Sequence, residues 1–381
     1  MAEGRQVNCG PVFQNYGTVV QVPVPSTVGP LTPFLAGMGS LPGYEGIGIQ
    51  DQARKHFPLP PNLVPIQGDQ PCLQQTDWKI PAISEDDAKE AFVQYASSKC
   101  CYSKAPAIEM SLQDLQTFNT YRYRLETFTE SRSAVWKAEP YNGGVVDSFL
   151  HGVAPLPWDV VTSVPPMFKD YTIKLKVPHT SAVKACPTCG TCGRCPCQKC
   201  KGGSKQQCWA CNGKGYRIND ETCSRCTGTG TDMCKDCSGM GTKECPDCKG
   251  RGQLLVFIEL IIEWKNNISK HVSDPNIGFP TKLFDEVNGV KLFEDEQLMV
   301  TPVLGFPDHV IMKASRDAVE GHRFQFGSTR RILRQRQTIE LILLSKVEYE
   351  WHGHSHSYYV YGNERKVYAK DYPKTCCCTI I

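Results

Sequence analysis

Apolar positions first recur at helical spacing just after residue 84. Ala88, Ala91, Phe92, Tyr95 and Ala96 fall on one face, and Ser84 with Asp87 forms a capping-box-like start. Glu85, Asp86 and Asp87 suit the positive end of the helix dipole, so the stretch reads as a helix laid on a sheet. From Thr117 to Lys137 the chain alternates and is rich in Tyr, Phe, Thr and Arg, which reads as two strands. Asn142-Gly143-Gly144 marks a turn. In Tyr171–Val177, residues Tyr171, Ile173, Leu175 and Val177 share one face, and Lys174 and Lys176 take the other. The run Leu254–Trp264 (LLVFIELIIEW) is continuously apolar and β-branched, as a buried strand is. An irregular acidic stretch, Phe284–Glu296, precedes three strand-like segments, TIELILLSKVEYEW, SYYVYG and RKVYA, with Gly362-Asn363 as a turn. The pattern is α+β and mostly β: a β-rich body entered and left by strands on either side of residues 181–253.

Composition adds limits to this picture. Residues 1–80 are rich in Pro and Gly and lack sustained periodicity, so they are expected to form a disordered tail, with Pro-rich docking as the alternative. A length of 381 residues with 40% hydrophobic content is enough for a packed core. A net charge of +3 does not argue for bulk nucleic-acid binding. MAEGRQVNCG is not a secretory signal, and LLVFIELIIEW, with two Glu, is too short to cross a membrane. The expected organisation is a tail (1–80), the first half of the body with one helix (81–180), an insertion (181–253), the second half of the body (254–373) and a short tail (374–381).

The insertion carries the chemistry. Of 21 cysteines, 14 lie within residues 186–248. Twelve form Cys-x-x-Cys pairs starting at Cys186, Cys197, Cys208, Cys223, Cys234 and Cys245, with spacings of 11, 11, 15, 11 and 11 residues. Four units, Cys208–Gly215, Cys223–Gly230, Cys234–Gly241 and Cys245–Gly252, are complete Cys-x-x-Cys-x-Gly-x-Gly motifs. Two thiolates three residues apart on a tight turn can reach one ion at about 2.3 Å, and two such turns complete a tetrahedron. The expected ligands are Cys186, Cys189, Cys197, Cys200, Cys208, Cys211, Cys223, Cys226, Cys234, Cys237, Cys245 and Cys248. They suffice for two or three zinc ions, with three favoured, in a reducing compartment. Cys192 and Cys195 are left over. The symmetric spacing suits a nested pairing of the units at Cys186 with Cys245, Cys197 with Cys234 and Cys208 with Cys223. The alternative nests the last four units among themselves, Cys208 with Cys245 and Cys223 with Cys234, and leaves the first two as a separate site. Metal would supply most of the folding free energy of a segment with so few apolar residues.

The complete units resemble the cysteine-rich domain of DnaJ co-chaperones, an elongated set of zinc-stapled hairpins inserted in a β domain. The His-Pro-Asp tripeptide with which J-domains stimulate their chaperone partner is absent from this sequence. A resemblance over more of the chain is to the Ssu-two homolog family. It is carried by KLKVPHT (Lys174–Thr180), LLVFIELIIEWKN (Leu254–Asn266) and YGNERKVYAKDYP (Tyr361–Pro373). That resemblance implies a DnaJ-like zinc segment without a J-domain, a part in tissue development such as tooth formation, and no established catalysis.

Residues 184–252 hold 12 Lys and Arg against 6 Asp and Glu. Three zinc ions, each bound by four thiolates, would carry −6 together and cancel that excess, which weakens a nucleic-acid reading. The expected function is non-catalytic: a chaperone-like or adaptor protein that binds client polypeptides through exposed Trp209, Tyr216 and Met240 near the hairpin tips. The alternatives are a nuclear nucleic-acid-binding zinc protein and a zinc-regulated thiol-disulfide oxidoreductase. Cys378-Thr379-Ile380-Ile381 is a prenylation-type ending, with Cys377 and Cys376 open to palmitate, which implies a cytoplasmic membrane surface. His352, His354 and His356 alternate, as a solvated hairpin end or as metal ligands. Arg330, Arg331, Arg334 and Arg336 read as one solvated face of a strand or helix rather than a phosphate site. No carboxylate pair, Ser/His/Asp arrangement or phosphate loop appears.

Overall fold

The computed structural model describes residues 41–47, 54–63, 82–218, 220–274 and 276–373. In chain order its elements begin with β1 (Lys55–His56), α1 (Glu85–Ser98), α2 (Ala105–Glu109), β2 (Ser111–Pro140), β3 (Tyr171–Lys176) and β4 (Ala182–Ala185). The cysteine segment adds β5 (Arg194–Pro196), β6 (Lys205–Gln207), β7 (Thr231–Met233) and β8 (Thr242–Glu244). Then follow β9 (Gln253–Val272), β10 (Val290–Gln297), α3 (His309–Phe326), β11 (Arg331–Trp351), β12 (His354–Tyr361) and β13 (Lys366–Tyr368). The described residues are mostly β, with few helices.

The chain divides into two units: one from the described parts of 1–56, 132–161 and 174–261, the other from those of 57–131, 162–173 and 262–381. Both β2 and β9 contribute residues to each unit. In the second unit the strand order runs β13-β12-β11-β2, with β10 also on β11. β11 pairs antiparallel with β2 from Arg331 opposite Glu130 to Glu350 opposite Ser111. Ser84 caps α1 by accepting from the Asp87 N–H at 3.1 Å, and the expected stripe buries Ala88, Ala91, Phe92 and Ala96. Phe92 stacks on Tyr358 with ring centroids 4.0 Å apart. Asp308 caps α3 through the Val310 and Ile311 N–H groups, and Ile311 and Val319 pack on Tyr123, Leu125 and Ile339.

In the first unit β4 pairs with β9 from Ala182 opposite Val256 to Ala185 opposite Gln253. A strand therefore leads into the cysteine segment and its ladder partner leads out.

Several readings change. Thr117–Lys137 belongs to one 30-residue strand, not two. The polar residues Glu130, Arg132 and Ser133 within it are buried. Phe284–Glu296 is not irregular: it ends a 3₁₀ turn and then forms β10. Within the expected tail, Tyr44, Ile47, Phe57 and Leu59 are buried, and β1 pairs with Ser133 and Ala134 of β2. Composition averaged over 80 residues hides such isolated anchors. Residues 1–40, 48–53 and 64–80 lie outside the described residues.

Candidate metal centre

The twelve paired cysteines converge as three tetrads: Cys186, Cys189, Cys245 and Cys248; Cys197, Cys200, Cys234 and Cys237; Cys208, Cys211, Cys223 and Cys226. This is the nested pairing, not the alternative. β5 pairs with β8 between the first and second tetrads, and β6 with β7 between the second and third. Tyr216 and Thr222 bridge beyond the third, so the tetrads follow one another outward along a single ladder.

The sulfur positions fit zinc. Sγ–Sγ separations are 3.7 Å for Cys186–Cys245, 3.6 Å for Cys189–Cys248, 3.8 Å for Cys197–Cys234 and 3.7 Å for both Cys200–Cys237 and Cys211–Cys226. The edge of a tetrahedron with metal–sulfur bonds of about 2.3 Å is about 3.8 Å. A disulfide would need about 2.05 Å. All four ligand atoms of each tetrad lie within 4.8 Å of one another.

The local backbone explains why the sequence repeats as it does. Counting from the first cysteine of each unit, the residues at +4, +5 and +7 all have positive φ. In the third unit these are Asn212 (48°), Gly213 (82°) and Gly215 (83°). The same holds in the first unit for Gly190, Thr191 and Gly193, and in the second for Lys201, Gly202 and Ser204. The two arms that look incomplete in sequence are thus complete in conformation. The +7 residue also makes two bonds. Gly215 N–H donates to Cys211 Sγ at 3.3 Å, and its carbonyl accepts from Cys223 N–H at 2.9 Å. Gly230 reciprocates, donating to Cys226 Sγ and accepting from Cys208 N–H at 3.0 Å. The first tetrad repeats this exchange through Gly193 and Gly252. Each tetrad is therefore a pair of knuckles locked backbone to backbone, with N–H groups aimed at sulfur that offset thiolate charge. In the first two units the +7 position is legible only as an offset from the first cysteine, since the glycine pattern is broken at Thr191 and Ser204.

Electrostatics differ within each tetrad. Backbone donors from Cys226 and Arg225 pull the Cys223 thiol down to about 6. Cys245 is likewise pulled to about 6, led by the Cys248 N–H, and Cys197 to about 7, led by the Cys200 N–H. Desolvation pushes Cys208 and Cys189 up to about 12 and Cys200 up to about 11. A divalent cation would offset the repulsion that keeps four adjacent thiols from ionising together.

The remaining candidates separate. Cys192 and Cys195 stand outside the tetrads. Trp209 (68% exposed) lies in the third knuckle pair with Arg225 over its ring, and Tyr216 (51%) lies beyond it. Met240 is exposed but not at the tip: its sulfur accepts from Arg194, between the first and second tetrads. Ile218 and Met233 are exposed on the outer arm as well. His352, His354 and His356 form no metal-binding group among the described residues; His352 lies 3.9 Å from Glu109 and His356 packs beside Tyr349. Arg331, Arg334 and Arg336 lie on β11 and pair with Glu130, Glu296 and Glu126 rather than forming a phosphate site. Cys376, Cys377 and Cys378 lie outside the described residues, and no described helix is long and apolar enough to cross a membrane.

The chain is 45% identical over 359 residues to the zebrafish (Danio rerio) protein named Protein SSUH2 homolog, spanning 94% of this chain and 99% of that one. The chain belongs to the SSUH2 homolog family. The human SSUH2 homolog is 38% identical over 367 residues, covering 92% of this chain and 93% of its own length. The mouse SSUH2 homolog is 35% identical over 309 residues, covering 77% and 87%. No family profile and no solved structure matches the chain. The names of these SSUH2 homologs state no activity.

Proposed function

We propose that this protein is a non-catalytic zinc protein whose cysteine ladder is a recognition arm for polypeptides, in a chaperone-like or adaptor role. The observation that carries the reading is the contrast along the arm. Its buried positions are occupied by metal-binding cysteines and +7 glycines, while Trp209, Tyr216, Ile218 and Met233 face solvent. Apolar and aromatic side chains held out on a stapled scaffold cost little entropy to immobilise on a partner. The ladder resembles the zinc hairpins of DnaJ co-chaperones, which supports a client-binding role. Neutralisation of the arm's excess cations by three thiolate-bound zinc ions weighs against a nucleic-acid partner.

The test is binding of a reduced, unfolded model client by full-length protein, with and without Trp209→Ala and Tyr216→Ala. We expect the double variant to keep its zinc and lose most of its capture. Undiminished capture would sink the arm-tip reading. We also propose cytoplasmic placement with a prenyl group on Cys378, which an intact mass of protein made in eukaryotic cells would reveal.

A further inference from the structure

A cleft of 590 Å³ lies where the cysteine ladder joins the body of the first unit. Its buried residues include Val135 on β2 and Leu254, Val256 and Ile261 on β9. Lys137, Lys174 and Lys184, from β2, β3 and β4, line the same cleft, together with Arg54. Among the described residues, these three lysines make no ion pair. Only two carboxylates, Asp247 and Glu259, line it, and Asp247 is engaged by the Thr188 hydroxyl. Three cations without partners around an aliphatic floor are unusual in a chain of near-neutral net charge.

We infer that this cleft is a second binding surface, for an extended polypeptide segment that alternates acidic and aliphatic side chains. The repeat of the floor sets the occupant. Leu254 and Val256 are two residues apart on one strand, a spacing of about 7 Å, and Lys184 lies directly opposite Leu254 in the ladder. An extended segment has the same two-residue period. It can set aliphatic side chains on the floor while its carboxylates reach the lysines. A single-stranded nucleic acid would need aromatic faces for its bases. The one aromatic residue lining the cleft, Trp136, is buried and spends its N–H on the Ile47 carbonyl at 3.0 Å.

The test uses full-length zinc-loaded protein and a fluorescein-labelled decapeptide of alternating glutamate and valine, read by anisotropy. A lysine–valine decapeptide, an oligothymidine and phosphatidylserine vesicles serve as competitors. We expect the acidic peptide to bind, to weaken as salt rises, and to weaken at least about tenfold on Lys137→Glu with Lys174→Glu. That pair leaves the half-buried Lys184 and the β4–β9 ladder intact, and unchanged zinc content checks the fold. Should the variant fold poorly, the salt dependence and competition on the native protein still decide. Equal binding of the lysine peptide, salt-independent binding, or displacement by oligothymidine or vesicles in preference to acidic peptide would overturn the proposal. Arm variants Trp209→Ala and Tyr216→Ala should bind the probe normally. Loss there would assign the probe to the arm, so the two surfaces stand or fall separately.

Discussion

At Thr191 and Ser204 the repeat departs from glycine without departing from its geometry. Ser204 holds φ 61°, and its carbonyl accepts from Cys234 N–H at 2.9 Å, the role that glycine plays in the other arms. A left-handed conformation costs a residue with a Cβ about 1–2 kcal/mol, and glycine is free of that strain. Ser204→Gly should therefore stabilise the second tetrad, by about 1 kcal/mol after the extra entropy of the unfolded glycine is set against the gain. Slower zinc transfer to a chromogenic chelator would show it. Gly230 poses the opposite case. A Cβ there would stand 2.4 Å from the Gly213 carbonyl oxygen, and φ is 70°. Neither term can relax without parting the two knuckles. Gly230→Ala should cost the third tetrad its metal and leave the other two, reducing bound zinc from three to two, as read by native mass spectrometry.

Among the elements, α3 depends on a buried polar seam. His322 Nδ1 lies 2.7 Å from the Thr127 hydroxyl on β2 and Nε2 lies 2.8 Å from the Ser269 hydroxyl on β9. Gln335 of β11 donates to the same Thr127 oxygen at 2.9 Å. Burial lowers the His322 pKa below its ordinary value of about 6.5. The unfolded chain therefore takes up a proton at His322 before the folded one does. Its contribution to stability is full above about 6.5 and is lost as pH falls toward the lowered folded value. His322→Gln, which keeps hydrogen-bonding capacity but does not titrate, should flatten the fall in melting temperature between about pH 7 and 5, and an unchanged slope would rule out this seam as the cause. The seam also explains why α3 is hard to read from sequence. Its buried positions are Ile311, Ser315, Val319, His322 and Phe326, a helical stripe in which two members are polar. Apolar periodicity sees only the other three. β10 hides for a related reason. Its acidic run looks like a loop until Glu296 is found beside Arg334 and Arg336 on the neighbouring strand. In contrast α1, whose stripe is wholly apolar apart from the half-exposed Tyr95, and the cysteine units, whose ligands must recur at fixed offsets, were legible directly. The tetrad pairing was legible only as a choice between two, because spacing does not say which knuckles exchange backbone bonds.

For the whole molecule, the cysteine arm of the first unit and the second unit differ in what holds them. Between residues 186 and 252, every buried described residue is a cysteine or a +7 glycine. No aliphatic or aromatic core replaces the metal there. In the second unit clusters of buried aromatic and aliphatic residues do that work, among them those around Phe92 and Tyr358, around Tyr123 and Ile339, and around Phe284 and Leu344. Each buried side chain of this kind contributes about 1.5–3 kcal/mol. A structural zinc contributes on the order of 10 kcal/mol to a segment that cannot fold without it. Stripping the metal should therefore unfold residues 186–252 and leave the second unit standing. Acid should act in the same direction, because protons compete with metal for the thiolates and bound zinc is lost as pH falls. Hydrogen exchange followed by mass spectrometry can separate the regions. After treatment with a strong chelator and a reductant, amides of β5 to β8 should exchange at the rate of an unfolded chain, while those of β11 and β12 keep their protection. Re-addition of zinc should restore the arm. Loss of protection in β11 to the same extent as in the arm would mean that the second unit also depends on the metal, and its apolar cores would then not account for its stability. Retained protection in the arm would mean that something other than metal holds the knuckles together, and the tetrads would lose their standing as the centre of this protein.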